Sequence, residues 1–239
     1  NVESLVNEGY QIIQNASRTT TGYPIGYFYG YQHDGIFQND AEVTAGPTNN
    51  MGSGNNQFLP GDIRFKDSNG DGKIDASDRT LIGDPNPDFI YGAFINLAVK
   101  QFDLGIELMG VQGNDIFRDW NRNQFAQFNF QEERLDRWNG DGTSNWEPIL
   151  NTSRNNNREI SSYFIEDGSF VRVRNLQLGY SFPQETMERW KMKNLRLFIN
   201  AQNPFTFAKN TGYTPEIGGS ATSFGVDNGT YPVPSIYTF

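Results

Sequence analysis

The hydrophobic pattern is sharpest between Phe89 and Met109. Phe89, Tyr91, Ala93, Ile95, Leu97 and Val99 alternate with a second set, Gly92, Asn96 and Lys100 together with Ile90, Phe94 and Ala98. After Lys100–Gln101 the alternation resumes, with Phe102, Leu104, Ile106 and Leu108 on one face and Asp103, Gly105, Glu107 and Met109 on the other. A period of two predicts two extended strands joined by a tight turn. Each has about the 9–11 residues that a tilted strand needs to cross a bilayer. One face is apolar with aromatics near its ends; the other is polar, glycine-rich or mixed. Transmembrane barrels show this pattern, and so does a half-buried strand pair in a soluble β-sandwich.

Further strands follow. Residues 163–182 predict one long strand with Leu176, Leu178, Tyr180 and Phe182 on one face. Its upper half places Val171 and Val173 in the opposite phase, with Arg172 and Arg174 between them. The phase change near Asn175 predicts a bulge there, or an upper part that leaves the membrane. Pro183 to Asn194 is a short connection with room for one helical turn. Leu195, Leu197, Ile199 and Ala201 alternate again, and Ser235–Phe239 begins a final strand. Residues 1–22 read as the upper part of a strand, residues 38–60 as loop, and Gln131–Trp138 as a short helix. Connections at Lys100–Gln101 and Pro183–Asn194 are short; those at 38–88, 112–162 and 208–234 are long. Short and long connections alternate, as in outer-membrane barrels with short periplasmic turns and long external loops. A soluble sandwich has no reason to keep that parity.

Composition narrows the classes. The net charge is −9, which disfavours nucleic acid as a partner. Without cysteine there is neither a disulfide framework nor thiol chemistry. No apolar run reaches the roughly 20 residues of a transmembrane helix, and no signal peptide is visible. The chain reads as a fragment of a longer β protein. His33 is the single histidine, so neither a Ser-His-Asp triad nor a histidine-ligated zinc site can be assembled. A glycoside hydrolase reading could rest on loop pairs such as Glu132 with Asp136, and no catalytic motif flanks them. No enzyme is expected. Trp120, Trp138 and Trp146 lie in the long 112–162 stretch; they can stack on sugar rings or pack the loop, and packing is the simpler role.

One loop has metal-binding spacing. Asp67, Asn69, Asp71, Gly72, Lys73, Asp75 and Asp78 fall at positions 1, 3, 5, 6, 7, 9 and 12 of the EF-hand calcium loop. Calcium takes oxygen ligands from alternating side chains and one backbone carbonyl, here that of Lys73. Asp78 replaces the usual glutamate, so it closes the shell directly or through water. The flank Ile63–Phe65 is extended rather than helical, which predicts a structural staple rather than a sensor. A metal-free Asp/Asn/Gly turn has the same composition.

Five blocks, GYPIGYFYGYQHDGIFQN, PGDIRFKDSNGDGKIDASDRTLIGDPNPDFIYG, GVQGNDIF, EDGSFVRVRNLQLGYSFP and LRLFINAQNPFTF, together resemble the C-terminal part of SusC/RagA-like TonB-linked outer-membrane receptors of the Bacteroidetes type. The resemblance covers most of the chain in the right order. It implies an all-β fold: the C-terminal strands and long extracellular loops of a 22-stranded transmembrane barrel. On that reading residues 1–239 are the C-terminal part of the barrel, with the calcium loop 67–78 inside it, and the plug and earlier strands are absent from this sequence. It also implies a bacterial outer-membrane location, a SusD-like surface lipoprotein as lid, and import of oligosaccharides or peptides. Energy would come from TonB, acting through the missing N-terminal part. A soluble calcium-stabilised carbohydrate-binding β module is the alternative. The sequence does not name the substrate.

Overall fold

The computed structural model describes residues 1–5, 9–52, 57–122, 130–151 and 154–239. The chain forms two compact units. One comprises Asn1–Asn86, Asp115–Glu166 and Ile217–Gly229; the other comprises Pro87–Asn114, Asp167–Glu216 and Thr230–Phe239.

The second unit is a five-stranded antiparallel sheet. Its strands are β1 (Phe89–Val99), β2 (Phe102–Gln112), β3 (Phe170–Ser181), β4 (Arg196–Ala208) and β5 (Ile236–Thr238), and they lie side by side in chain order. Strand β1 has the bounds the alternation predicts and β2 runs three residues beyond Met109, with Lys100 at φ 56 in the turn between them. The connection after Ser181 contains one short helix, Gln184–Arg189. The longer segments 113–169 and 209–235 join strands at the other end, as expected of 112–162 and 208–234, whereas 38–88 does not connect two strands of this sheet.

Register aligns the apolar positions into rows across the sheet. Ile95, Ile106, Leu176, Ala201 and Tyr237 are successive partners; so are Leu97, Leu104, Leu178 and Ile199, and so are Val99, Phe102, Tyr180 and Leu197. The opposite face carries Asn96, Gly105, Gln177, Asn200 and Thr238 in one row, with Glu107, Asn175 and Gln202 in the next. The phase change near Asn175 is a bulge: Leu108 pairs with Val173 while Glu107 pairs with Asn175, which leaves Arg174 as the extra residue. That insertion returns Val171 and Val173 to the same face as Leu176, in rows with Phe205 and Phe207. The apolar face therefore continues beyond the bulge, and the strand does not reverse its faces.

Residues on both faces of the sheet are exposed. Phe94 is 75 % exposed and Val99 is 67 % exposed. Aromatics gather at both ends of the apolar face. Phe102, Tyr180, Phe182 and Trp190 form a chain of ring contacts at the short-turn end, with successive centroids 4.9, 5.0 and 5.6 Å apart. Phe89 and Tyr91 lie 5.9 Å apart at the other end. Tyr91 lies over Gly110, where a Cβ would meet its ring. From Tyr91 to Val99 is about 27 Å of extended chain, or roughly 20 Å of depth at a tilt of about 35–45°. That matches the apolar band of an outer-membrane barrel, flanked by aromatic girdles.

The first unit is built differently. Its strands are two to four residues long, as a Gly/Asn/Asp-rich chain dictates, and its core is aromatic. Phe28, Tyr31, Phe37, Phe65, Phe117 and Phe164 are fully or almost fully buried. Residues 1–22 do not extend a barrel strand: Ile12–Gln14 and Ser17–Thr19 form a hairpin that pairs onward to Tyr27–Gly30 and Thr80–Gly83. Residues 38–60 are not all loop, since Asp40–Ala45 is helical behind the Asn39 cap. The 163–182 strand is also interrupted: Ile165–Asp167 joins a small sheet with Asp115–Arg118, and β3 begins afresh at Phe170. The Gln131–Trp138 helix is a 3-10 turn, Glu132–Asp136.

Asp62 ties the first unit together. Its side chain is fully buried, and its Oδ2 accepts from Leu59 N–H (3.0 Å) and from Arg154 (2.9 Å). Burial pushes its carboxyl up, opposed by the Arg154 charge. Asn157 donates to Asp62 Oδ1 (3.4 Å) and accepts from Ile63 N–H (2.8 Å), so segments far apart in sequence close on one carboxylate.

The apolar rows generate a prediction. In the membrane-inserted protein, spin labels at Ile95, Leu104, Ile106, Leu178 and Ile199 will report lipid, and labels at Asn96, Gln177 and Asn200 will report water. Ile106→Lys will cost about 2–4 kcal/mol of folding stability. Labels at the apolar set that report water would remove the barrel wall from consideration.

Candidate functional site

The acidic loop is anchored at both ends in the first unit. Ile63–Phe65 pairs with His33–Ile36, and Lys73–Ile74 pairs in parallel with Thr48–Asn49. Phe65 and Ile74 are buried, which pins the chain on either side of the turn. Between them the acids bind their own backbone. Asp67 Oδ1 accepts from Gly70 N–H (2.7 Å) and Asp71 N–H (3.3 Å), and its Oδ2 accepts from Gly72 N–H (2.7 Å). These donors, that of Gly72 first, hold the Asp67 carboxyl below the usual range. Asn69 Oδ1 accepts from Asp71 N–H and Asp71 Oδ1 from Lys73 N–H, both at 2.9 Å. Gly70 and Gly72 sit at φ 76 and 81, a conformation that side chains disfavour.

Asp75 caps the short 3-10 turn Ala76–Asp78, accepting from Ser77 N–H at 2.8 Å. Asp78 is buried and accepts from Ser68 N–H with one oxygen and from Asp75 N–H with the other, both at 2.9 Å. It closes the loop through backbone donors. Among the described residues, no three acidic or histidine side chains already converge as a metal cage, and this loop is included. The donor set remains chemically suited to a hard cation. Oxygen is the only donor type, and a carboxylate oxygen that accepts one N–H keeps lone-pair capacity.

The tryptophans separate. Trp138 is half-buried and packs against the core; a Cβ on Gly61 would stand 2.6 Å from its ring. Trp120 lies half-buried on the turn Asp119–Arg122. Trp146 is 57 % exposed, with its ring 4.6 Å from His33 and 5.9 Å from Tyr163. The three do not form one platform, so packing accounts for Trp138 and leaves Trp146 as the ring with an open face.

Charged groups that sequence inspection did not single out occupy the interior. Glu147 contacts Arg134 and accepts from Tyr163 Oη at 2.8 Å, and burial pushes its carboxyl up. Arg118 reaches Glu133 at 3.2 Å, Glu166 at 3.3 Å and the Tyr163 carbonyl at 3.0 Å. The Glu147 partners lie 13 and 16 residues away, and no local pattern marks them. Burial with complete pairing is what such charges require to be tolerated. Glu132 and Asp136, the residues of the glycosidase alternative, lie on the 3-10 turn outside this network.

These observations define a five-stranded antiparallel sheet of the barrel-wall type and, separately, a unit of short strands around an aromatic core. No protein-family model matches the chain. The chain is 31 % identical over 228 residues to TonB-dependent receptor P3 of Formosa agariphila, across 91 % of this chain and 22 % of that protein. It is 27 % identical over 216 residues to TonB-dependent receptor SusC of Bacteroides thetaiotaomicron, across 88 % of this chain and 18 % of that protein. The structure of the RagAB peptide importer in its open-open state superposes with a TM-score of 0.68 at 18 % identity, covering 98 % of this chain and 24 % of that one. By sequence, then, this segment is a relative of the TonB-dependent receptors that include SusC, and by fold of the RagAB importer. It spans less than a quarter of the length of each of these relatives.

His33 yields a pH prediction. Burial against Trp146 and Tyr163 pushes it down to about 4, against the attraction of Asp34. An unfolded histidine titrates near 6.5. Between those values the unfolded chain binds a proton that the folded chain refuses, so stability falls as pH falls from about 6.5 to about 4 and is fully present above that window. The loss amounts to roughly 3 kcal/mol. Protease resistance of the first unit will drop across this window in the wild type, and His33→Gln will flatten the His33 contribution. An NMR midpoint near 6.5 for His33 would contradict this.

Proposed function

We propose that this chain is part of the wall and external loops of a bacterial outer-membrane nutrient importer of the SusC/RagA type. The continuous apolar face of β1–β5, flanked by aromatics at both ends and backed by a polar face, carries the reading. Lipid outside and a wet lumen inside are the environment in which both faces are satisfied. Among the described residues, the outer edges of β1 and β5 have no strand partner. Unpaired backbone groups in hydrocarbon cost several kcal/mol each, so further barrel strands complete both edges. The soluble carbohydrate-binding module is not favoured, because it would leave Leu97, Val99, Leu197 and Ile199 in water.

Partners follow from the relatives. A SusD-like lipoprotein caps the long-connection end of the barrel, TonB supplies energy through parts of the receptor outside this chain, and the cargo is an oligosaccharide or peptide. The reading includes no enzymatic step.

Sidedness and partnership are tested together. In intact cells, Leu135→Cys and Tyr213→Cys, both on highly exposed connection residues, will react with a membrane-impermeant maleimide, and cross-linkers there will capture the neighbouring lipoprotein. Labelling only after the outer membrane is permeabilised would place these connections in the periplasm and defeat the reading.

The loop 67–78 is read as a structural calcium site formed by Asp67, Asn69, Asp71, the Lys73 carbonyl and Asp75, with Asp78 bracing it. The support is the twelve-residue spacing, the all-oxygen donor set and a loop already wound by its two glycines. Calcium would replace mutual carboxylate repulsion with ligation; magnesium fits less well because it demands a tighter octahedron. In millimolar calcium the full receptor will resist proteolysis between Lys66 and Arg79, and Asp71→Ala will lose that protection while the strands stay intact. Equal protection with and without a chelator would show the turn to be metal-free.

A further inference from the structure

The first unit holds a cleft of about 330 Å³ whose lining includes Arg18, Tyr23, Tyr27, Tyr29, Arg79 and Leu81. This lies at the small end of the roughly 300–1,000 Å³ range of ligand clefts, with room for one ring of a chain and its substituent. Nothing in the calcium loop or the barrel wall uses it.

Its electrostatics are uneven. Arg79 already has Glu159 at 3.6 Å and lies over the Tyr31 ring. Arg18 is different. Its guanidinium sits 4.0 Å over the Tyr29 ring and donates to the Gln11 side chain at 2.6 Å, and among the described residues no carboxylate comes within ion-pairing distance of it. A guanidinium held by an aromatic face and a neutral amide, in a chain of net charge −9, is a cation with its anion missing. The fixed planar fork of arginine suits a carboxylate or sulfate group.

Beside it stands an aromatic platform. Tyr23 stacks on Tyr27 at 5.0 Å with 25° between the planes, while Tyr27 is buried and fixed. Tyr23 is 47 % exposed, so it presents its ring to solvent from a rigid backing. A flat, held aromatic with a polar rim accepts the apolar face of a sugar ring at little entropic cost. Thr20 Oγ1, 3.3 Å from Tyr27 Oη, adds a hydroxyl for neutral hydrogen bonding.

We propose that this cleft is a subsite for an anionic saccharide, in which Tyr23 stacks on the ring and Arg18 pairs with its carboxylate or sulfate. The inference deepens the importer reading, on which it rests, by naming a cargo class. The experiment is binding rather than uptake, so that it can fail while import stands. Intact receptor in detergent is titrated calorimetrically with trigalacturonate, a 6-sulfated galactose trisaccharide, neutral galactotriose and a tetraglutamate peptide. A charged trisaccharide will bind at least about tenfold tighter than the neutral one, the scale of one charge-assisted pair, and the preferred acid distinguishes carboxylate from sulfate. Arg18→Gln will erase that preference and leave galactotriose unchanged, Arg18→Lys will restore part of it, and Tyr23→Ala will weaken all three sugars. The proposal is overturned if charged and neutral sugars bind alike, if Arg18→Gln leaves the preference intact, or if tetraglutamate binds tighter than either acidic sugar. Import is judged separately, by uptake in cells carrying the same variants.

Discussion

The structure depends on one constraint: a strand that crosses hydrocarbon must find every backbone partner inside the sheet. Once the ladder is obligatory, register becomes strict, because a slip of one residue carries each side chain to the opposite face. The bulge at Arg174 shows the rule at work. Without the extra residue, Val171 and Val173 would share a face with Gln177; with it they join Leu176 and Leu178. On strand β4 the same irregularity falls at Asn203, at φ 49, just before Pro204, which has no N–H to lose. The polar face is built with similar economy of space. Arg196 and Asp103 pair across Gly179, where a Cβ would stand 2.4 Å from the guanidinium. A residue larger than glycine there would displace the pair.

The sheet was legible in the sequence because its order is local and periodic. Strand β1 alternates over eleven residues, β2 continues it after a two-residue turn, and even the bulge announces itself as a change of phase. The first unit lacked such a signal. Its strands are too short to display a period, and its cohesion comes from contacts such as Asp62 with Arg154, 92 residues apart. The Asp40–Ala45 helix had a readable start: Asn39 accepts from Glu42 N–H, and Glu42 reaches back to Gln38 N–H at 3.0 Å. A cap predicts where a helix begins, but six residues without a buried side chain do not predict that one forms.

The acidic loop was legible as a spacing and ambiguous as a structure, for a definite reason. The residues a calcium loop needs, Asp and Asn at alternate positions with glycine between, are those that cap their own backbone N–H groups in a tight turn. Asp67 accepts three such donors and Asp78 two, so the wound backbone and the ligand set arise from the same side chains. Spacing alone therefore cannot separate a cation site from a self-capped turn. Asp78 does not separate the two, since its burial and its two cross-loop donors give it a bracing role whether or not an ion is bound.

Aromatic residues make up 14 % of the chain, and the two units put them to opposite uses. In the first unit Phe28, Tyr31, Phe65 and Phe164 are interior, and buried carboxylates there are held by arginines, as Asp62 and Glu147 are, or by backbone N–H groups, as Asp78 is. In the second, Phe89, Phe102, Phe205 and Phe207 point outward, each more than half exposed. In water the first arrangement is a core and the second a liability. The second becomes favourable when the surrounding medium is lipid, where exposed rings at the ends of the strands meet the interface and the aliphatic rows between them meet the acyl chains. Composition averages over both units and so reports neither. The distinction appears only when each aromatic is assigned to a face, and that assignment rests on the hydrogen-bond register.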